Sequence, residues 1–347
     1  LYSMIDEFVK YRAGKRGLQP PPNGDKGRRL QCFAVGFNPQ RALRPGFYNI
    51  ANIGRAEYYH SPEIDADALS EATLQHMGSQ GLDLTRALLS ANELPARKPD
   101  ATFFAVFGLF TLIYPAFFGW IFLTLGGVFY AVSVRRKTDL KSIGEGFVRM
   151  TGFLLIGAAL LYGLNMISGS GSGSNYYDRL AAITELEVTA AFLCLAMFFA
   201  LFGRKVFGAN ARLGAALPIF GLGIAGQAAA PTAAYFITLP VLLCALASMM
   251  LSLWLDKKRS LAGAAILTAL VAGYMLALGH LLMLGVGPDM LSVAILPAAI
   301  AALSVLPLYA GLPKPKVKIL ALMGLLASTV IALWIRFDPI ASTVPLY

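Results

Sequence analysis

The sequence has 347 residues, of which 57% are hydrophobic and only 14% are charged. Those proportions exclude an ordinary soluble protein and favour a polytopic membrane protein. The net charge of +10 does not indicate nucleic-acid binding, because residues 1–100 are nearly balanced, with 13 basic and 11 acidic side chains, and the excess lies between the later apolar segments. The three cysteines, Cys32, Cys194 and Cys244, lack both ligand-like spacing and the pattern of a disulfide framework.

The first hundred residues are the polar part of the chain and predict a small α/β segment. Short apolar runs at 30–37 and 47–53 are plausible strands, and the stretch from Ser70 to about Ser90 predicts a helix. One face of this helix is apolar and consists of Leu74, Met77, Leu84 and Leu88. So few elements make a thin core, and we therefore expect residues 1–100 to be the end of a larger α/β domain.

Residues 101–347 predict a membrane domain, which begins with the apolar stretch 103–134. A single helix of that length would be about 48 Å long, well above the ~30 Å thickness of the hydrocarbon core. Tyr114-Pro115 is the natural break, because proline is tolerated in the first turn of a helix but not in its interior. The sequence therefore predicts a span over 115–134 and an interfacial lead-in over 103–114.

Seven further apolar runs follow, and with the first they predict about eight transmembrane helices. They cover approximately residues 147–167, 180–202, 213–229, 232–255, 261–286, 290–312 and 317–335. The glycines of Gly221 to Gly226 indicate a close helix contact, because small residues let helices approach. The Gly/Ser alternation from Ser168 to Ser174 predicts a flexible loop without chemistry of its own.

Basic residues are distributed unequally between alternate loops. One set of four loops carries 13 of them: Arg135, Arg136, Lys137, Lys141, Arg204, Lys205, Arg212, Lys257, Lys258, Arg259, Lys314, Lys316 and Lys318. The opposite set carries only Arg179 and Arg336. The positive-inside rule places the richer set in the cytoplasm, and the N-terminal segment and C-terminal tail in a periplasm or lumen. Because no apolar signal region follows Leu1, we expect further residues, including a leading membrane segment, to precede it.

In order and spacing, the chain from about Arg44 onwards resembles the membrane-bound zinc exopeptidases that include the fungal vacuolar membrane protease and the endoplasmic reticulum metallopeptidase. Residues 46–53 are similar to that family's last strand, and Tyr59-His60-Ser61-Pro62 is similar to its Tyr-His-Thr-Pro turn. The helix that includes His76 resembles the final helix of the catalytic domain, and Tyr114-Pro115 resembles the opening of the first of eight spans. The resemblance implies an aminopeptidase-like zinc hydrolase with a peptide substrate.

The resemblance makes His60 the last ligand of a two-zinc site. Each zinc takes about three protein ligands and a water, and a separate glutamate acts as general base. The chain has no His-x-Asp or Glu-Glu sequence to supply those groups, so this chain alone is expected to be inactive unless other residues or a partner chain complete the site. The family's aspartate four residues after the ligand is replaced here by Ile64, which leaves Glu63 and Asp65 to orient His60.

Three ionisable residues in the apolar half make a different function conceivable, although the structural interpretation fits them better. Glu185, Glu187 and His280 are candidates for proton or ion transport, because ionisable groups inside spans are costly and often functional. The structural alternative is that Glu185 and Glu187 lie near the outer start of a span and His280 bonds to a neighbouring helix, while His76 is structural. The sequence thus leaves open an enzyme, a non-catalytic membrane scaffold embedded in the lipid bilayer, and a transporter.

Overall fold

The computed structural model describes residues 71–91, 101–107, 109–134, 138–171, 176–253 and 257–337. The chain divides into two compact units at Asp100. The predicted strands at 30–37 and 47–53 lie outside the described residues, as do His60, Glu63 and Asp65.

The described part of the first unit is one helix, α1 (Glu71–Leu89). It confirms the helix that the sequence predicts from Ser70 to about Ser90. Met77, Leu84 and Leu88 of the predicted apolar face are half-buried, whereas Leu74 is 59% exposed. Glu71 lies in the first turn and Arg86 in the last, where each charge suits the helix dipole.

The second unit is built almost entirely of helices. They are α2 (Phe118–Val134), α3 (Leu140–Ile167), α4 (Tyr176–Ala181), α5 (Ile183–Phe202), α6 (Ala209–Ala229), α7 (Tyr235–Leu253), α8 (Lys257–Val286), a 3₁₀ helix (Pro288–Ala294), α9 (Ile295–Val305) and α10 (Lys314–Phe337). Within the described residues, six helical stretches are long and apolar enough to cross a membrane: residues 140–167, 183–202, 235–253, 258–286, 288–305 and 314–337. These helices confirm the predicted helical architecture, and their length and apolar composition indicate an integral membrane protein.

Two of the eight predicted spans do not meet both conditions, so the count of eight is not confirmed. Helix α2 is strongly apolar but has only 17 residues. Helix α6 has 21 residues, and Arg212 and Gln227 near its ends lower its mean hydropathy. Both polar side chains are buried against neighbouring helices, at 7% and 2% exposure.

The lead-in to α2 is a β-hairpin. Strands β1 (Ala101–Val106) and β2 (Phe110–Pro115) are antiparallel, with Ala101 opposite Pro115 and Phe104 opposite Leu112. The apolar run is therefore interrupted close to Tyr114-Pro115, as the sequence predicts. Pro115, however, ends β2 and α2 begins only at Phe118, so the prediction that Pro115 lies in the first turn of the helix is wrong. The sequence did not reveal the hairpin, because a short continuous apolar run fits a strand or a helix equally well.

Aromatic rings attach the hairpin to the helices. Phe104 stacks on Tyr235 at the start of α7, with ring centroids 4.5 Å apart and planes within 5° of each other. The same ring lies 5.8 Å from that of Tyr274 on α8. Burial raises the pKa of the Tyr114 hydroxyl on β2 above its usual value, with a further contribution from Tyr235. The hairpin is thus packed on the helices rather than extended away from them.

Among the described residues, the closest approaches of a glycine to the backbone of another helix join α3 to α6. A Cβ atom on Gly214 would overlap the backbone carbonyl of Ile143, and one on Gly146 would overlap that of Ala211. In the stretch from Gly221 to Gly226, by contrast, a Cβ on Gly221 would meet nothing within 4 Å, and only Gly223 is tightly packed. The close contact predicted for that stretch therefore lies at Gly223, and the tightest one lies elsewhere.

Candidate functional site

The structure pairs two of the three ionisable residues that the sequence places in the apolar half. The Nδ1 atom of His280 on α8 lies 2.8 Å and 3.0 Å from the two carboxylate oxygens of Glu187 on α5. Nearly equal distances suit an Nδ1–H group that donates to an ionised carboxylate. Glu187 lies just after the first turn of α5, and His280 lies two turns before the end of α8, so the pair is near one end of the helices.

Glu185 does not join this pair. Its Oε2 atom is buried and has no hydrogen-bond partner among the described residues. Residues two apart on a helix do not face the same way, which separates Glu185 from Glu187 as the spacing predicts. A proton or ion path through all three residues therefore has no continuous chain of contacts here.

The Glu187–His280 pair lies at the edge of an apolar cavity of about 740 Å³ between α5, α8 and α9. The volume is in the range of ligand-binding pockets. Apart from the pair, the lining consists of alkyl, aromatic and sulfur-containing side chains, such as Phe153, Leu195 and Met283, and of Tyr309. The Tyr309 hydroxyl is occupied, because it donates a hydrogen bond of 2.8 Å to the Gly203 carbonyl.

Because the Tyr309 proton is engaged, the other strong hydrogen-bonding side chains of the cavity, Glu187 and His280, lie together at one end. When Nδ1 of His280 donates to Glu187, its second ring nitrogen is a free acceptor. The His280 side chain is 52% exposed, so this nitrogen is accessible, whereas Glu187 is 22% exposed. The site can accept hydrogen bonds from a small polar group and hold apolar groups beyond it.

A second polar cluster lies between the end of α3 and the 3₁₀ helix, and it is centred on Arg179 of α4. Arg179 is only 3% exposed. Its guanidinium donates to the Asn165 side-chain oxygen at 2.5 Å, to the Ser168 hydroxyl at 3.0 Å and to the Pro288 carbonyl at 3.0 Å. Its Nε atom lies 3.7 Å from a carboxylate oxygen of Asp289.

The same cluster includes the loop that follows α3. Ser170 donates to the Asp289 carboxylate at 3.0 Å, and Asn165 donates to the Asp289 backbone carbonyl at 2.8 Å. Burial lowers the pKa of the Arg179 guanidinium and Asp289 opposes that change, although an arginine remains charged at any physiological pH.

The prediction of a flexible loop without chemistry is wrong for Ser168 to Gly171, because both serines are buried and bonded. No local pattern predicts this cluster, since Arg179 and Asp289 are 110 positions apart.

The opposite end of the helices carries an exposed ion cluster. Glu145 on α3 accepts hydrogen bonds from Arg149 at 2.7 Å and from Lys205 at 2.6 Å. Arg149 also donates to the Leu201 carbonyl of α5. Lys205 is 58% exposed, so the pair contributes little to stability.

The residues that carry the zinc prediction, His60, Glu63 and Asp65, lie outside the described residues. Across the described ranges, no three His, Cys, Asp or Glu side chains come together in a group that could hold a metal ion. Comparisons with protein-family models, curated proteins and solved structures found no match to this chain.

Proposed function

We propose that α2 and α6 cross the membrane together with the six longer helical stretches, which gives eight spans. Helix α2 packs along α7, and α6 packs along α3, and both partners are apolar enough to span. The buried positions of Arg212 and Gln227 keep their polar groups away from lipid. A 17-residue helix rises about 26 Å, which a bilayer accommodates by local thinning.

With eight spans, the basic loops face the cytoplasm, and residues 1–100 and the C-terminal tail face a periplasm or lumen. The support is the asymmetry of 13 basic residues against two, one of which, Arg179, is buried in the cluster described above.

Cysteine labelling in intact cells tests this orientation. In a Cys32→Ser background, an impermeant maleimide is expected to label Ser172→Cys directly and Thr138→Cys only after permeabilisation, because the two positions flank α3. Cys194 and Cys244 are buried and serve as the unlabelled background. Labelling of Thr138→Cys but not of Ser172→Cys in intact cells would contradict the orientation.

For the first unit, we propose that the chain is the membrane-anchored end of an aminopeptidase-like zinc hydrolase. The observation that carries the proposal is the sequence Tyr59-His60-Ser61-Pro62 ahead of helix α1, the order in which the resembling exopeptidases close their catalytic domain. In this proposal His60 is a zinc ligand, and either Glu63 or Asp65 holds its second nitrogen. The remaining ligands would come from residues outside this sequence or from a partner chain.

The 347-residue chain alone is expected not to hydrolyse peptides or aminoacyl substrates, because a single histidine cannot hold two zinc ions. The measurement is an exopeptidase assay on the purified chain with added zinc, with and without a chelator. Chelator-sensitive activity from this chain alone would show that it contains a complete site.

Transport remains the second candidate because one observation favours it, the contact between Glu187 and His280 at the edge of a cavity. The apolar lining weakens that candidate for ions, since a permeating ion needs polar groups along its path. A membrane scaffold without catalytic activity is the third candidate.

A further inference from the structure

We propose that the cavity between α5, α8 and α9 binds one alkyl chain of a membrane amphiphile, whose ammonium headgroup is held by Glu187 and His280. The inference rests on the membrane placement proposed above and not on the zinc hydrolase assignment.

The lining selects an alkyl chain over a peptide or a sugar. Beyond Glu187 and His280, its one strongly polar group is the Tyr309 hydroxyl, which is already bonded to Gly203. A peptide or a sugar placed there would bury polar groups without partners, at a cost of a few kcal/mol for each group. An alkyl chain needs no such partners.

The length of the cavity suits one extended alkyl chain. Between Glu187 at one end and Phe199 near the other, α5 rises about 18 Å. The lining continues to Tyr309, whose hydroxyl donates to the Gly203 carbonyl at the C-terminal end of α5. An amphiphile whose headgroup lies at the Glu187–His280 pair therefore has its chain directed along the helices towards their opposite end.

The cavity opens sideways between spans. Leu195 on α5 and Leu276 on α8 line it and are 51% and 72% exposed. These apolar side chains border the position of lipid, so the occupant can enter directly from the bilayer. Entry from lipid again favours an amphiphile over a water-soluble ligand.

The charge and the hydrogen-bonding groups of the lining indicate the kind of headgroup that the cavity would bind. The lining contains no lysine or arginine, and Glu187 is its one acidic residue. Its carboxylate oxygens and the second ring nitrogen of His280 are all acceptors when the histidine is neutral. A primary ammonium supplies one positive charge and three donors, whereas a phosphate or carboxylate headgroup would be repelled.

Photo-crosslinking of the full chain in phosphatidylcholine nanodiscs tests the proposal. The probe is a straight-chain primary amine with a diazirine near its methyl end. Crosslinks are expected near Phe199 and Val305 at the far end of the cavity, and an unlabelled primary alkylamine should compete for them. A trimethylammonium amphiphile of equal chain length should compete roughly tenfold less well, because it has no N–H donor.

Three variants separate headgroup recognition from chain binding. Glu187→Gln keeps the side-chain size but loses a charge-assisted hydrogen bond. It is expected to raise the concentration of unlabelled alkylamine that halves the crosslinking by roughly tenfold or more. Ala298→Phe fills the cavity and should abolish the specific crosslinks. Ala269→Phe is the matched control, because Ala269 is exposed on α8 and does not line the cavity.

The melting temperature and the elution volume of each variant show whether it is folded. A loss of crosslinking is therefore not mistaken for a loss of folding. Crosslinks spread over all exposed helices, or insensitive to Ala298→Phe, would overturn the proposed site. Equal competition by the trimethylammonium compound, or no effect of Glu187→Gln, would overturn the proposed headgroup.

Discussion

Replacing Arg179 by methionine is expected to destabilise the membrane domain by about 3 kcal/mol or more, because it removes the donors that join α4 to Asn165, Ser168 and Pro288. Methionine fills much of the same volume, so the loss reports the hydrogen bonds and the ion pair rather than a cavity. The buried carbonyl of Pro288 and the side-chain oxygen of Asn165 would each be left without the guanidinium donor.

Thermal unfolding of the purified domain measures this effect. A change of that size corresponds to a melting temperature roughly 6 to 12 °C lower. Arg336→Met is the matched control, since Arg336 is exposed in the last turn of α10. Equal melting temperatures for the two variants would show that the Arg179 cluster does not hold this end of the helices together.

Gly214→Ala is expected to lower stability by about 1 to 3 kcal/mol, because its Cβ would overlap the carbonyl of Ile143 and push α6 away from α3. The overlap is with backbone, so no side-chain rotation relieves it. Gly146→Ala should behave in the same way, since its Cβ would overlap the carbonyl of Ala211 across the same crossing.

The control variant for Gly214→Ala is expected to leave stability unchanged or to increase it. At Gly221, on the same helix, a Cβ would meet nothing within 4 Å. Alanine is the better helix former there by up to about 1 kcal/mol, so Gly221→Ala should leave the melting temperature unchanged or raise it. A melting temperature for Gly214→Ala equal to that for Gly221→Ala would contradict the close crossing of α3 and α6.

Much of the membrane half follows from the sequence because long apolar runs are strong and local signals. The break near Tyr114-Pro115 is also a local signal, and in the first unit the amphipathic pattern of the helix from Glu71 is another. The hairpin over residues 101–115 is different, because its apolar residues fit a helix as well and its pairing depends on rings of α7 and α8. Tertiary contacts decide the conformation of such a run.

The sequence identifies the residues of the candidate site one at a time, but it does not predict which of them are in contact. Glu187 and His280 are conspicuous as ionisable groups in apolar segments, yet they are 93 positions apart and nothing local predicts that they meet. Arg179 illustrates the converse, because a charge in a loop between spans is counted as an orientation signal although its side chain is buried. Burial and pairing across helices depend on packing that no short window contains.

The zinc content of the protein purified from its native membranes tests the proposed hydrolase most directly. Bound zinc is expected in the wild-type protein and less zinc in His60→Ala, with the apolar helices still folded. His76→Ala is the matched control and should leave zinc unchanged, whereas Ile64→Asp should tighten binding, because an orienting carboxylate beside a ligand histidine is worth roughly 10- to 100-fold in metal affinity. Mass spectrometry of the metal content is the measurement, and zinc stoichiometry that is the same with and without the His60 imidazole would contradict the assignment.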